Sequence, residues 1–388
     1  MTALLPNVDP DGLLEYSVVF TDRALNHMSQ AFQGVMRDIS ATLKRVYGVG
    51  PGGGVAVVPG GGTFAMEAVA RQLAGGAGVL VIRNGWFSYR WSQIFEAGAI
   101  PAAETVLKAR PVASGAAAGP RAPFAPVPVE EAVAAIRAER PDLVFAPHVE
   151  TASGMILPDA YLKAVAEAAH EVGGFFVLDC IASGTVWVDM QALGVDVLIS
   201  APQKGWSASP CSGLVMMSAA ALARVRATRS SSFAADLKKW LEIMEAYENG
   251  GHAYHATLPT DALRAFRDSM AETEAYGFGK VRDEQLELGR RVRALFAARG
   301  FTSVAAEGFG APGVVVCYTD DPGIKSGAKF AAQGLQTAAG VPLMCDEPAD
   351  FQSFRVGLFG LDKLHNIDRT VKHLETALDA IVGKTNVR

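Results

Sequence analysis

Apolar residues recur at two different spacings along this chain of 388 residues, and each spacing predicts a kind of element. Between residues 27 and 47 they recur every three or four positions, which predicts a helix. Further on, segments of helical period alternate with short runs that are apolar almost throughout. Runs of this kind predict strands that are buried on both faces, as in a mostly parallel sheet covered by helices. The predicted strands are VAVVP at 55–59, GVLVIRN at 78–84, LVFAPH at 143–148, GFFVLDC at 174–180 and VDVLISAP at 195–202.

The pattern changes near residue 260, where a long helix is predicted through 262–300 and is followed by the strands GVVVCYT and FRVGLFG. We therefore expect an irregular N-terminal arm over 1–25, a large α/β domain over 26–259 and a smaller α+β domain over 260–388. The stretch 110–128 is rich in Ala, Pro and Gly, which predicts a surface loop.

Composition and charge argue against several classes of protein. The 35 basic and 40 acidic residues give a net charge of −5, which does not favour binding to nucleic acid or to anionic membranes. The four cysteines are far apart and include no CxxC pair, so neither a disulfide framework nor a zinc site is expected. No apolar run is long enough to span a bilayer, and the first residues lack the features of a signal peptide. We expect a cytoplasmic protein that binds no metal.

Ligands of an α/β sheet bind beyond the carboxyl ends of its strands, so the turns after the predicted strands are candidate sites. Gly60-Gly61-Gly62-Thr63 opens a helix, where backbone N–H groups can bind a phosphate or simply form a tight, threonine-capped turn. Trp86 and Phe87 follow the next strand, and either ring can stack on a flat ligand or pack in the core. The loop at 148–154 carries hydroxyl groups that suit a ligand or a turn equally.

Two ionisable residues complete the set. Asp179 ends an apolar strand, where a carboxylate needs a partner, and a protonated ring nitrogen would supply one. Lys204 follows the next strand, and a partly desolvated lysine can form a Schiff base. A phosphate turn, an aromatic ring, an acid and a lysine on successive strand ends together describe a site for pyridoxal 5′-phosphate.

The glycine turn also allows a different interpretation. It is not GxxxxGK[ST], which excludes a P-loop. Gly60, Gly62 and Ala65 loosely fit a dinucleotide fingerprint, but the next strand ends in Arg83 and Asn84 without the acid that such a site needs. A nucleotide-dependent oxidoreductase is therefore a weaker alternative.

From about residue 26 to its C-terminus the chain resembles the class V aminotransferases of fold type I, and it is most similar to the alanine/serine–glyoxylate aminotransferases. Six segments carry the resemblance in order, namely PGGGTFAMEA, HVETASG, VLDCIAS, APQKGW, HAYHATLP and FRVGLFG. The resemblance implies a seven-stranded type of large-domain sheet and pyridoxal 5′-phosphate as the cofactor. It also implies ping-pong transamination from a small amino acid, such as alanine or serine, to a 2-oxo acid such as glyoxylate or pyruvate.

The resemblance implies roles for individual residues as well. Lys204 would form the Schiff base and move the substrate proton, while Asp179 would hold the pyridine nitrogen. Phe87 would stack on the ring, with Trp86 as the alternative, and Arg355 would bind the substrate carboxylate by a two-pronged hydrogen bond. The other implied cofactor contacts are Gly61, Gly62, Thr63 and Gln203 at the phosphate, Thr151 near the phenolic oxygen, Ile181 on the second ring face, and Tyr254 and Thr257 reaching the cofactor of the other subunit in a homodimer.

The sequence also departs from the family, whose N-terminal segment usually begins with a Gly-Pro-Gly-Pro-like turn, whereas residues 7–27 here read NVDPDGLLEYSVVFTDRALNH. The stretch 110–128 is longer than usual. Both departures leave the donor and the acceptor open. A desulfurase or lyase that uses Cys345, ten residues before Arg355, is one alternative function. A non-catalytic module that binds the same cofactor is another.

Overall fold

The computed structural model describes residues 13–112 and 121–383. Part of the predicted arm and the middle of the loop at 110–128 lie outside the described residues. Helices α1 to α14 of the described part span Gln30–Val46, Gly62–Leu73, Trp86–Gly98, Val129–Glu139, Asp159–Glu171, Met190–Leu193, Ala219–Ala227, Leu237–Glu248, Thr260–Tyr276, Phe278–Ala297, Pro322–Lys325, Ala328–Ala331, Leu361–His365 and Ile367–Val382. Strands β1 to β14 span Gly54–Pro59, Gly78–Arg83, Ala103–Lys108, Arg110–Pro111, Phe124–Ala125, Leu143–Pro147, Val149–Glu150, Met155–Ile156, Phe175–Asp179, Val197–Ser200, Ser212–Met217, Val314–Tyr318, Ala338–Ala339 and Ser353–Gly357.

A seven-stranded sheet forms the centre of the molecule, in the order β1-β11-β10-β9-β6-β2-β3. Strands β10, β9, β6, β2 and β3 pair in parallel, and β11 is antiparallel to both of its neighbours. This arrangement confirms the predicted α/β fold with a mostly parallel sheet. The parallel register brings the last residues of β6 and β9, Pro147 and Asp179, side by side at one edge of the sheet.

Of the apolar strands that the sequence predicted for this sheet, β2, β6, β9 and β10 lie inside it and β1 forms one edge. Strands β6 and β10, and also β11, are buried along their whole length. Helices on both faces exclude water from such strands, which is why they lack the alternation of a half-exposed strand. Two strands of the central sheet, β3 and β11, were not predicted from the sequence. The edge strand β3 has the polar sequence AETVLK and is partly exposed. The apolar strand β11 lies after the turn that carries Lys204, in a segment for which the sequence analysis predicted no element.

The long helix predicted over 262–300 is wrong, because two helices, α9 and α10, meet there at Gly277. Gly277 has a φ of 110°, a backbone conformation that residues with a Cβ atom rarely adopt, and the chain changes direction at this residue. The predicted loop at 110–128 contains the short paired strands β4 and β5 in its described part.

A second sheet of the order β12-β14-β13, with antiparallel pairing, carries Arg355 in its central strand. One hydrophobic cluster surrounds the large sheet, and another packs α10, α13 and α14 against β12 and β14. Side chains of α9, including Phe266 and Met270, belong to the first cluster. The division into an arm over 1–25, a large domain over 26–259 and a small domain from 260 onward stays a proposal.

Candidate active site

A cavity of about 400 Å³ lies at the carboxyl ends of the parallel strands, where β14 of the second sheet closes it. Nine of the residues singled out from the sequence line this cavity. They are Gly62, Thr63, Phe87, Thr151, Asp179, Ile181, Gln203, Lys204 and Arg355. The fold thus gathers into one place residues that are spread over almost 300 positions of the chain.

The N-terminus of α2 forms one side of the cavity. Gly61 is the residue before the helix, and no side chain caps the first N–H groups of this helix. Those N–H groups have no partner within the helix, and they attract an anion together with the helix dipole. A Cβ atom at Gly62 would collide with the side chain of Ile181, so glycine at this position lets the helix end approach the opposite wall. Thr63 presents a hydroxyl group to the cavity.

Two further polar groups face the same end of the cavity. Arg90 donates a hydrogen bond from Nη1 to the Thr63 hydroxyl over 2.8 Å. The carbonyl oxygen Oε1 of Gln203 is buried and has no hydrogen-bond partner among the described residues. A buried polar group without a partner costs free energy, which indicates that this side of the cavity is built for a polar ligand.

Asp179 ends β9 at the base of the cavity and is buried. Its Oδ1 accepts a hydrogen bond from the Ile181 amide over 2.8 Å. The pKa of Asp179 is raised to about 7, chiefly by burial and to a smaller extent by the nearby Glu150 carboxylate, although the Ile181 hydrogen bond and Arg90 act in the opposite direction. A carboxylate in such a place gains most from a cationic N–H partner.

Lys204 lies in the turn after β10 and projects into the cavity. Its Nζ is 5.2 Å from the centre of the Phe359 ring, and no described carboxylate lies within ion-pair distance of it. Burial lowers the pKa of Lys204, and the positive charge of Arg355 lowers it further. Both effects favour the neutral amine, the form of lysine that acts as a nucleophile or a base.

The aromatic wall comes from the start of α3. Phe87 lines the cavity, whereas Trp86 packs against Tyr89 with ring centres 5.7 Å apart. Two arginines lie over the Phe87 ring, with the Arg90 Cζ at 5.1 Å and the Arg355 Cζ at 5.5 Å from its centre.

Arg355 enters the cavity from β14. Its Nε donates to the carbonyl oxygen of Ala339 over 2.8 Å, which fixes the plane of the guanidinium group. Burial lowers the pKa of Arg355, while Glu150 opposes this effect. In the part of the chain that the structure describes, no carboxylate pairs with Arg355, so the charge suits an anionic ligand.

Apart from the alternative Trp86, three of the residues implied as cofactor contacts do not line the cavity. Gly61 precedes the helix that does. Tyr254 and Thr257 lie on the surface, with their hydroxyl groups 3.2 Å apart, and Tyr254 is about half exposed.

Sequence reasoning missed Arg90, Glu150 and Phe359. Arg90 is three residues after Phe87 and therefore on the same face of α3, a spacing that would have indicated it. Phe359 is four residues after Arg355, in a segment that had been singled out for its arginine alone. Glu150 gave no signal of its own, because its partners in α3, Phe87 and Ser88, are more than 60 residues away in sequence.

The cavity fits pyridoxal 5′-phosphate by the chemistry of its donors. One end offers helix N–H groups, a hydroxyl and a guanidinium group, which suit a phosphate. Asp179 lies at the base with a raised pKa, and Lys204 offers an amine of lowered pKa. The Phe87 ring supplies an apolar wall between these groups.

Comparison with known proteins agrees with the geometry. The family model for "Aminotransferase class-V" matches residues 123–312. Over 347 residues the chain is 30% identical to 2-aminoethylphosphonate–pyruvate transaminase 2 of Paraburkholderia xenovorans, which covers 87% of this chain and 84% of that protein. It is 28% identical over 253 residues to the alanine–glyoxylate aminotransferase of Rattus norvegicus, covering 64% of this chain and 56% of the rat protein.

Solved structures share the fold. A crystal structure of alanine–glyoxylate aminotransferase from Nostoc sp. superposes with a TM-score of 0.72 at 22% identity, covering 92% of this chain and 89% of the other. An aspartate aminotransferase from Thermus thermophilus gives a TM-score of 0.73 at 23% identity, with coverage of 92% and 93%.

The fold and the cavity thus define an enzyme of fold type I with a site for pyridoxal 5′-phosphate. The chain belongs to the class-V aminotransferase family. It is a transaminase, and its cofactor is pyridoxal 5′-phosphate. In residues 13–112 and 121–383, no helix has the length and hydropathy that crossing a membrane requires.

Proposed function

We propose that this transaminase moves the amino group of a small amino acid such as alanine or serine to a 2-oxo acid such as glyoxylate or pyruvate, in two half-reactions. The observation that carries the proposal is Arg355, the cavity arginine near Lys204, with which no carboxylate of the described residues pairs. The other arginine, Arg90, is bonded to Thr63 at the phosphate end. Of the two arginines that line the cavity in the described part of the chain, Arg355 is thus left for the substrate, which suits a substrate with one anionic group.

The walls near the lysine support a small substrate. Phe359, Val314 and Ala338 are apolar and line the cavity beside Lys204 and Arg355. The ring of Phe359 also packs close to Gly184 and Gly313, so it has little room to retreat. A substrate whose reacting carbon lies within reach of the lysine amine therefore has space for a short side chain.

We assign the cofactor contacts as follows. The N-terminus of α2 with Gly61, Gly62 and Thr63, together with Gln203, would hold the phosphate, and Arg90 adds a positive charge there. Asp179 would pair with the ring nitrogen, Phe87 and Ile181 would pack on the two faces of the ring, and Thr151 would lie near its phenolic oxygen.

When bound, pyridoxal phosphate supplies an electron sink for the bond pair released at the substrate's reacting carbon. The remaining work belongs to the chain. Lys204 takes the proton from that carbon and would then donate it to the neighbouring position on the cofactor side. Its lowered pKa favours the neutral amine that can accept this proton. Asp179 keeps the proton on the ring nitrogen, and Arg355 orients the substrate through its carboxylate.

We further propose a homodimer in which Tyr254 and Thr257 of each subunit reach the phosphate site of the other. Both hydroxyl groups lie outside their own cavity and on the surface. The exposed apolar side chains Met28, Phe233 and Tyr254 support a contact surface in this region, since the Tyr254 ring contacts His27 and the Phe233 ring packs on His255. We also propose that the protein works in the cytoplasm, which agrees with its four free, buried cysteines.

A second donor follows from the relatives. Proteins named 2-aminoethylphosphonate–pyruvate transaminase match most of the chain, and Arg355 suits a phosphonate as well as a carboxylate.

The desulfurase alternative is less well supported, because the Cys345 thiol is buried, bonds to the carbonyl oxygens of Arg83 and Leu343, and does not line the cavity. Burial raises the pKa of Cys345 to about 12, so a reactive thiolate is disfavoured.

Steady-state assays with the purified enzyme test the proposal. Alanine, serine, aspartate and 2-aminoethylphosphonate serve as donors in turn, each with pyruvate and with glyoxylate. We expect the highest kcat/KM for alanine or serine. A clear preference for 2-aminoethylphosphonate would replace our donor, and a preference for aspartate would contradict the argument from one free arginine.

A further inference from the structure

Glu150 is a buried carboxylate whose hydrogen bonds join two segments of the active site. Its Oε2 accepts from the amide of Ser88 over 2.8 Å and from the Ser88 hydroxyl over 2.7 Å. Its Oε1 accepts from the amide of Ala152 over 2.9 Å and from that of Phe87 over 3.3 Å. No described arginine, lysine or histidine lies within ion-pair distance of it, so N–H and O–H donors and the N-terminus of α3 balance its charge.

The donors belong to the two segments that supply the cavity wall. Phe87 and Ser88 form the first turn of α3, and the Phe87 ring lines the cavity. Thr151, which also lines the cavity, stands between Glu150 and its partner Ala152. Glu150 itself does not line the cavity. Its carboxylate therefore acts on the site through these two neighbours.

The local packing leaves the carboxylate little freedom. A Cβ atom at Gly85 would lie 2.7 Å from the Glu150 Cγ and 3.0 Å from the Ala152 Cβ, so the close approach depends on glycine at this position. The Ser88 hydroxyl in turn accepts hydrogen bonds from the amides of Asn84 and Gly85 over 2.9 and 3.1 Å. The whole turn between β2 and α3 is thus bonded, directly or through Ser88, to one carboxylate.

The charge of Glu150 also extends into the cavity. It raises the pKa of Asp179 at the base and counteracts the lowering of the Arg355 pKa by burial. A negative charge at this depth favours cationic partners on the cavity side, namely a protonated ring nitrogen and the guanidinium group.

We propose that Glu150 is the positioning residue of this active site, because it fixes Phe87 and Thr151 relative to each other and so sets the orientation of the bound cofactor ring. The proposal rests on the cofactor contacts assigned above. It predicts that loss of the carboxylate weakens and disorders cofactor binding while the protein stays folded.

The test compares Glu150→Gln with wild-type protein. Glutamine keeps the size of the side chain but replaces one carboxylate oxygen by an NH₂ group. This group cannot accept hydrogen bonds from the N–H donors that surround it. The readouts are the dissociation constant of pyridoxal phosphate, the circular dichroism of its visible band, which reports ring orientation, and the melting temperature of the cofactor-free protein. The matched control is Glu347→Gln, since Glu347 also accepts three backbone hydrogen bonds, from 343, 344 and 345, but in a loop outside the cavity.

We expect Glu150→Gln to raise the dissociation constant about tenfold or more and to reduce the visible circular dichroism per bound cofactor, because hydrogen bonds to a charged group are lost. Glu347→Gln should leave both values near wild type. An unchanged dissociation constant and spectrum in folded Glu150→Gln, or equal changes in both variants, would overturn the proposal.

If Glu150→Gln does not fold, Ser88→Ala decides, since it removes one of the four donors to the carboxylate. A several-fold weaker binding with a smaller dichroic signal is expected, and wild-type values would overturn the proposal. Failure of the cofactor site on which the proposal rests looks different, because wild-type protein would then form no visible band with pyridoxal phosphate at all.

Discussion

Asp179→Asn tests the environment of the buried carboxyl group at the base of the cavity. Asparagine keeps an oxygen that can accept the hydrogen bond of the Ile181 amide, so the change removes chiefly the ability to ionise. Burial raises the pKa of Asp179 from 3.8 to about 7 in the cofactor-free protein. Between about pH 4 and pH 7 the folded protein therefore holds a proton that the unfolded chain releases, and the free energy of unfolding falls as pH rises.

The magnitude follows from the two pKa values. The raised pKa of Asp179 lowers the free energy of unfolding by about 4 kcal/mol at pH 8 and by about 2 kcal/mol at pH 5, relative to a carboxyl group whose pKa does not change on folding. Asp179→Asn does not have this cost. The variant should thus gain stability relative to wild type as pH rises, and the difference between the two proteins should grow by about 2 to 3 kcal/mol from pH 5 to pH 8.

Urea unfolding of the cofactor-free proteins at the two pH values measures this difference. Groups present in both proteins cancel to a first approximation. Adding pyridoxal phosphate should make the wild-type protein the more stable of the two, because its carboxylate then pairs with the ring nitrogen. The variant cannot form this pair. A stability difference that is the same at pH 5 and pH 8 would refute the assignment of a raised pKa to Asp179.

Three further substitutions follow from the cavity. Arg355→Lys removes a two-pronged hydrogen bond, so kcat/KM for the amino acid should fall about tenfold to a hundredfold in steady-state assays, and a loss under twofold would contradict its role. Arg90→Met removes the donor to Thr63 and should weaken binding of pyridoxal phosphate roughly tenfold in absorbance titrations. An unchanged affinity would exclude Arg90 from the phosphate site. Phe359→Ala removes the ring beside Lys204 and should raise the kcat/KM for leucine relative to alanine about tenfold, whereas an unchanged ratio would show that another wall limits substrate size.

Sequence reasoning identified the strand ends because buried parallel strands are apolar throughout and their ends are therefore easy to place. Asp179 is the last residue of one such strand and Lys204 lies four residues after the end of another, and the fold gathers strand ends at one edge of the sheet. The antiparallel direction of β11 could not be inferred in this way. It depends on pairing with β1, which lies more than 150 residues earlier in the chain.

The residues that support the site were harder to find. Glu150 interacts with α3 across about 60 residues, and nothing in the HVETASG segment distinguishes a buried acceptor from a solvent-exposed carboxylate. The break between α9 and α10 was missed because both segments have helical period, and one glycine within such a run is compatible with a continuous helix.

The absorption spectrum of the purified protein with pyridoxal phosphate, recorded before and after the addition of alanine or serine, tests the central claim most directly. We expect a visible band that bleaches with the amino acid and returns with glyoxylate or pyruvate, and we expect Lys204→Ala to lose this cycle. Wild-type protein that forms no visible band, or Lys204→Ala that turns over at a substantial rate, would contradict the account.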